Sequence, residues 1–148
     1  MGALLKKNNM RPYLAKIRIP SEIEKESTGS IGEKIFQLWF ELNYQDEPLF
    51  KQSADRDFQQ IDYADHKGYT YQVKATKAKT YTFNCDLERA NEHLNSELYV
   101  FIQIDDKYAY IEPICKKEEV LTKLKRSFME ANQCFLYISD LFQQKLIL

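Results

Sequence analysis

Cysteine, histidine, glycine and proline are all scarce in this chain of 148 residues. Cys85, Cys115 and Cys134 lie far apart, are odd in number and form no Cys-x-x-Cys pair, and only His66 and His93 could join them. That argues against a structural zinc site and for reduced thiols in a cytosolic protein. No repeat, low-complexity tract or Pro/Gly-rich linker marks a boundary, so residues 1–148 read as one domain, long enough to bury a real core. No apolar run approaches the roughly 20 residues that cross a bilayer, and Lys6 stands where a myristoylation signal carries Ser or Thr. A soluble protein without a membrane partner, cytoplasmic or nucleoid-associated, is expected. Global basicity is also missing: net charge is −1, so any field that attracts nucleic acid must be local.

What is present is 44% hydrophobic and 14% aromatic residues, the composition of a packed protein. The first eighteen residues hold Lys6, Lys7, Arg11, Lys16 and Arg18 and no acid, which fits a solvated flexible terminus or a phosphate-contacting arm. Ile31, Ile35, Leu38, Trp39 and Leu42 repeat at helical spacing, with Phe36 and Phe40 toward the other side. That pattern predicts a well-buried helix from Ser30 to about Leu42. Residues 43–57 read as a loop. Phe58–Tyr63 and Tyr69–Thr76 read as two strands joined by a three-residue loop, His66-Lys67-Gly68, with Gly68 in the left-handed conformation. This register pairs Asp65 with Tyr69 and Asp62 with Gln72. Further strands are expected at Thr80–Asn84, Leu98–Ile104, Tyr108–Ile114 and Phe135–Ile138. Helices are expected at Asp86–Leu94, around Val120 to Phe128, and at Asp140–Leu148. The order is that of a mixed α/β layered fold.

The hairpin carries the chemistry. Strand alternation can place Asp62, Gln72 and Lys74 on one face, with opposed Cβ atoms about 4.5–5.5 Å apart. Asp62 offers a hard carboxylate oxygen of the kind magnesium prefers, Gln72 a neutral amide oxygen, and the Val73 carbonyl lies between the two key side chains. Lys74 adds an ammonium suited to orienting water and stabilising charge on a phosphoryl group. No activated Ser, Cys or Tyr accompanies the cluster, so no covalent intermediate is expected. Lys67, Lys74, Lys77 and Lys79 follow one another with no acid between them, and Thr76, Thr80 and Tyr81 add hydroxyls. Lys67, Thr76, Lys77 and Lys79 are therefore candidate phosphate contacts beyond the lysine of the site, along a groove or along a plainly solvated strand.

The arrangement resembles the PD-(D/E)XK nuclease superfamily, with its restriction-endonuclease-like fold. Glu33 in Gly32-Glu33-Lys34 corresponds to the helical acid, Asp62 in Ile61-Asp62-Tyr63 to the strand-end Asp, and Gln72-Val73-Lys74 to the (Glu/Asp/Gln)-x-Lys strand. The likeness spans residues 30 to about 114. Ile61 stands where the family often has proline, and Gln72 replaces the usual acid, which removes one negative charge from the metal site. The resemblance implies an α/β protein with a mixed central sheet flanked by helices. It implies a magnesium-dependent nuclease acting on DNA, with manganese able to substitute. Asp62, Gln72 and the Val73 carbonyl would hold the metal, Glu33 a second metal or its water, and Lys74 the attacking water. A two-fold homodimer is the common form of small nucleases that cut both strands.

Each residue also has a plainer reading. Ser30-x-x-Glu33 fits a capping box, Asp62 can end a strand, and Gln72 and Lys74 can line a solvated face. On those readings the chain is an inactive domain of nuclease fold that binds nucleic acid or a protein partner, or a small α/β enzyme of another kind. Asp55, Asp57 and Asp65 are rival carboxylates, with Asp65 at the turn itself. His66 reads as a turn residue and His93 as a surface residue.

Overall fold

A computed structural model describes residues 13–52, 61–127 and 132–141. Sixteen residues of amphipathic sequence form the main helix, α1 (Thr28–Asn43), which starts two residues before the Ser30 of the sequence pattern. Ser27 is its N-cap: the Ser27 hydroxyl accepts from the Ser30 amide at 3.2 Å. The capping box read into Ser30 and Glu33 is therefore not formed, because a serine three residues upstream already takes that orphan donor. Ile31, Ile35, Phe36, Trp39 and Phe40 are buried, whereas Leu42, assigned to the core by its spacing, is 63% exposed.

Among the described residues, ten strands form two sheets. The larger runs β1 (Ala15–Arg18), β7 (Tyr108–Ile111), β6 (Leu98–Ile104), β4 (Thr70–Thr76), β3 (Tyr63–Asp65), β2 (Leu49–Lys51), with β8 (Cys115–Lys116) also on β6. The β4–β6 pairing is parallel and the other pairings of this sheet among the described residues are antiparallel, so the sheet is mixed. The smaller, antiparallel sheet runs β5 (Thr80–Phe83), β10 (Cys134–Tyr137), β9 (Lys125–Arg126). Three elements differ from the sequence reading. The expected loop at 43–57 contains β2, the hairpin's first strand is Tyr63–Asp65, shifted toward the turn, and Thr80–Phe83 lies outside the main sheet and pairs with β10. The start of the expected Phe58–Tyr63 strand falls outside the described residues. Asp86–Leu94 is a 3₁₀ turn (Leu87–Arg89) followed by one helical turn, α2 (Ala90–His93), and α3 spans Lys117–Lys123. Of the expected closing helix, Asp140 lies in a 3₁₀ turn (Ile138–Leu141) and residues 142–148 fall outside the described residues. The basic N-terminal stretch is not all a free arm: Lys16 and Arg18 belong to β1 and lie over the Tyr108 ring, at 4.3 and 5.7 Å.

The central strands are buried on both faces, and alternation sorts them into two cores. Tyr71, Val73, Val100, Ile102 and Ile104 meet α1 on one side. Tyr99 and Phe101 meet Tyr81, Phe83, Leu94, Val120 and Leu136 on the other. The result is three layers: α1, the central sheet, and the small sheet with the short helices. All three cysteines are buried and free. Among the described residues, no helix is long and apolar enough to cross a membrane.

Candidate active site

The hairpin has the register that the turn chemistry dictates. Tyr63 pairs with Tyr71 and Ala64 with Thr70, and the Asp65 amide donates to the Tyr69 carbonyl at 3.0 Å. Gly68 adopts φ +90°, the left-handed region that closes a three-residue loop. Asp65 is spent on this turn: its carboxylate accepts from the Lys67 and Tyr69 amides, at 2.9 and 3.0 Å, and from the Tyr71 hydroxyl at 2.8 Å. It is not available as a rival ligand. His66 is exposed at the turn and His93 is exposed on α2, as their sequence contexts suggested.

Asp62 sits where β3 parts from β4. Its amide donates to the Tyr71 carbonyl at 2.8 Å, and its Oδ2 accepts from the Val73 amide at 2.7 Å. The carboxylate thus takes a backbone donor that a continued β3 would have satisfied. In an extended strand the N–H and C=O of one residue point the same way, so the Val73 carbonyl also faces the Asp62 edge. Gln72 and Lys74 share the face turned toward the small sheet, opposite Tyr99 and Phe101 of β6 in register. Gln72 is 3% exposed and its Oε1 has no hydrogen-bond partner, an acceptor buried without a donor. The simple picture of three side chains standing together on one hairpin face needs one correction. Asp62 is drawn into the strand plane by the Val73 amide, between the Gln72/Lys74 face and the α1 face.

Glu33 reaches that same gap from α1. Burial first and the Asp62 charge second hold its carboxyl above the ordinary value, against Lys51, whose Nζ lies 3.8 Å from Glu33 Oε1. Burial likewise raises Asp62, opposed by the Val73 amide, Lys74 and Lys51. Lys74 is lowered, chiefly by burial, against the pull of Asp62, and its Nζ lies 4.8 Å from the centre of the Phe83 ring. Two carboxylates shifted up and an amine shifted down mark a desolvated polar cluster, the pattern that functional sites share with some structural ion networks.

Two features hold Glu33 there. A Cβ on Gly32 would come within 2.5 Å of the Ala75 Cβ, so the glycine lets α1 lie against β4. The Tyr63 hydroxyl donates to the Glu33 carbonyl at 3.1 Å and to Gln37 Oε1 at 3.4 Å, tying α1 to the strand that begins after Asp62. Sequence reading missed Lys51, Tyr63 and Phe83. The only signal for Gly32 was a glycine inside a helical pattern, which points to close packing.

Comparison with protein-family models, with curated proteins and with solved structures finds no match. The site therefore rests on its own geometry. Glu33, Asp62, the Val73 backbone and Lys74 come together, with buried Gln72 adjacent and Lys51 added. Among the described residues, no three His, Cys, Asp or Glu side chains converge on a metal position, so any metal here would depend on Gln72 and backbone oxygen as well. Burial and the Cys85 thiol 3.8 Å away push Cys134 up to about 12, which leaves it a poor nucleophile.

The residues expected to track phosphates are not brought into one groove. Lys67 is at the hairpin turn, at the opposite end of β4 from Lys77 and Lys79. The Thr76 hydroxyl accepts from the Ala78 amide at 3.0 Å and lines the Lys74 cleft. Lys77 lines a different cleft, with Glu24, Asp105 and Asp106. A run of lysines in sequence bends away at the end of the strand, and with it the basic stripe.

Proposed function

We propose that this chain is a metal-dependent nuclease of restriction-endonuclease-like architecture that hydrolyses phosphodiester bonds of DNA. The observation that carries the reading is the Asp62 junction, where a helical carboxylate, a strand-end carboxylate, a strand backbone and a desolvated lysine meet. The element order around it supports the same reading: α1, the antiparallel strands β3 and β4, β5, the short α2, then β6 parallel to β4. The PD-(D/E)XK resemblance implies the helix, the hairpin, the later helix and the later strand in this order, while β5 pairs in the second sheet and not beside β4.

The donors fit a hard divalent cation. Asp62, Glu33, the Val73 carbonyl and Gln72 Oε1 are all oxygens, and the buried Gln72 oxygen has no other partner. Magnesium or manganese held there would supply Lewis acidity toward water and toward a phosphoryl oxygen. The chain's own residues do the rest. Asp62 has one oxygen engaged by the Val73 amide, which fixes its rotamer and leaves the other oxygen for a ligand. Lys74, half-buried on the Phe83 ring and held less strongly protonated than an exposed lysine, can orient a water and exchange a proton at Nζ. The cleft it lines, of about 320 Å³, also exposes Thr76, Thr80 and Thr82 and contains no acid. Lys51 supplies a second cation beside Glu33 for phosphate charge.

Cleavage of single- and double-stranded DNA with magnesium, manganese or chelator tests this for the native chain and Lys74→Ala. Metal-dependent cleavage that falls by at least about 10²-fold in the variant is expected, the scale of a lost acid–base group. Salt-sensitive binding with no cleavage under any metal would replace this proposal with an inactive nucleic-acid-binding domain. RNA in parallel separates the two backbones.

A further inference from the structure

The small sheet has an outward face that the second core does not use. Its register places Phe135 opposite Thr82 and Lys125, and Tyr137 opposite Thr80. Tyr81, Phe83, Cys134 and Leu136 point inward and are buried. Thr82, Tyr137 and Lys125 are exposed, and Thr80 and Phe135 half-buried. A solvent-facing strand pair normally carries polar residues at such positions, and here two aromatic rings stand there, centroids 5.2 Å apart and near perpendicular. With Thr80, Thr82, Ser127 and Gln133 they line an open cleft of about 300 Å³. Thr80 and Thr82 also line the Lys74 cleft, so the two clefts share one wall. No Asp or Glu lines either cleft, in a chain that carries 22 acids. Lys125 pairs with Phe135 in register and Lys79 directly precedes β5, both exposed, so the strands of this face carry two cations.

We infer that this face is a stacking platform for unpaired bases, which delivers a single strand of nucleic acid to the Lys74 cleft. Rings on an open sheet stack on bases only when the bases are not already stacked in a duplex, and hydroxyl, amide and ammonium groups beside them suit the sugar–phosphate chain. The acid-free lining fits a polyanion and not a basic peptide. The inference rests on the nuclease reading for what happens at Lys74, but binding to the platform can be measured without cleavage.

The test uses the full chain in chelator, so that no strand is cut. Fluorescence anisotropy reads binding of a labelled oligothymidine, an oligouridine and a duplex of equal length. Variants are Phe135→Ala/Tyr137→Ala, Phe135→Leu/Tyr137→Leu, which keeps apolar bulk without a π face, and Lys74→Ala. The single strand should bind better than the duplex, and both ring-deleted proteins should lose about tenfold or more per ring. A 2-aminopurine in the strand should be quenched by the native protein and by Lys74→Ala, but not by the leucine variant. Equal affinity of native and leucine variant, or no single-strand binding at all, overturns the platform. Ring-dependent binding by a protein that cuts nothing in magnesium or manganese supports the platform and sinks the hydrolytic reading. Metal-dependent cutting with ring-independent binding does the reverse.

Discussion

Gly32→Ala tests how the site is assembled. The added Cβ would lie 2.5 Å from the Ala75 Cβ, and carbon atoms prefer about 3.5–4.0 Å, so α1 must retreat from β4 by roughly 1–1.5 Å. Neither atom is the end of a flexible side chain, so the strain is not cheaply relieved. Overpacking of this kind costs about 1–3 kcal/mol, and the better helix propensity of alanine returns about 1 kcal/mol, for a net loss of about 0–2 kcal/mol. Glu33 is the next residue, so it moves with the helix, and on the proposed nuclease reading a displacement of about 1 Å would cost about 10²-fold in rate. The decisive variant is the pair Gly32→Ala/Ala75→Gly. The remaining neighbours, the Ala75 Cα and Val73 Cγ1, both lie at 3.7 Å, an ordinary contact. Urea unfolding followed by Trp39, the chain's one tryptophan, should show a coupling of about 1–3 kcal/mol between the two changes, and cleavage should recover in the pair. Strictly additive effects, or a Gly32→Ala protein with native rate, would refute the close approach and its role.

Other changes have equally definite expectations. Because the folded protein holds the Glu33 proton more tightly than the unfolded chain does, the ionised group subtracts stability at neutral pH. That loss is recovered as pH falls through the raised folded value. Glu33→Gln should therefore be the more stable protein at neutral pH and lose its advantage in acid, as urea titrations at the two pH values would read; an unchanging gap counts against the assignment. Tyr63→Phe removes a donor shared by the Glu33 carbonyl and Gln37, and should cost about 0.5–1.5 kcal/mol while lowering the cleavage rate. A rate unaffected by that change would show that the tie does not position Glu33.

The hairpin was legible because its information is local. A glycine in the left-handed conformation and an aspartate that gathers turn amides fix the register, and the register sets which residues oppose each other. The helix was legible through its apolar spacing, but Ser30 and Glu33 imitate a cap that Ser27 provides. Two strands of the small sheet were legible at Thr80–Asn84 and Phe135–Ile138, but their pairing was not, since β5 finds its partner in β10 across most of the second half of the chain and no short-range pattern encodes that choice. Leu49–Lys51 escaped for a related reason: three residues hold too little alternation to separate a strand from a loop. Lys51 was lost with it. Asp62 was found by its type and place, whereas its bond to the Val73 amide required knowing where β3 ends.

The Phe83 ring has two occupations. It fills the second core between the sheets, and its face cushions the Lys74 ammonium. Any loosening of the three-stranded sheet consequently reaches the proton affinity of that amine without a single change at the carboxylates. Drift in one layer retunes the chemistry of another, and the neighbouring layer's packing becomes a dial on reactivity.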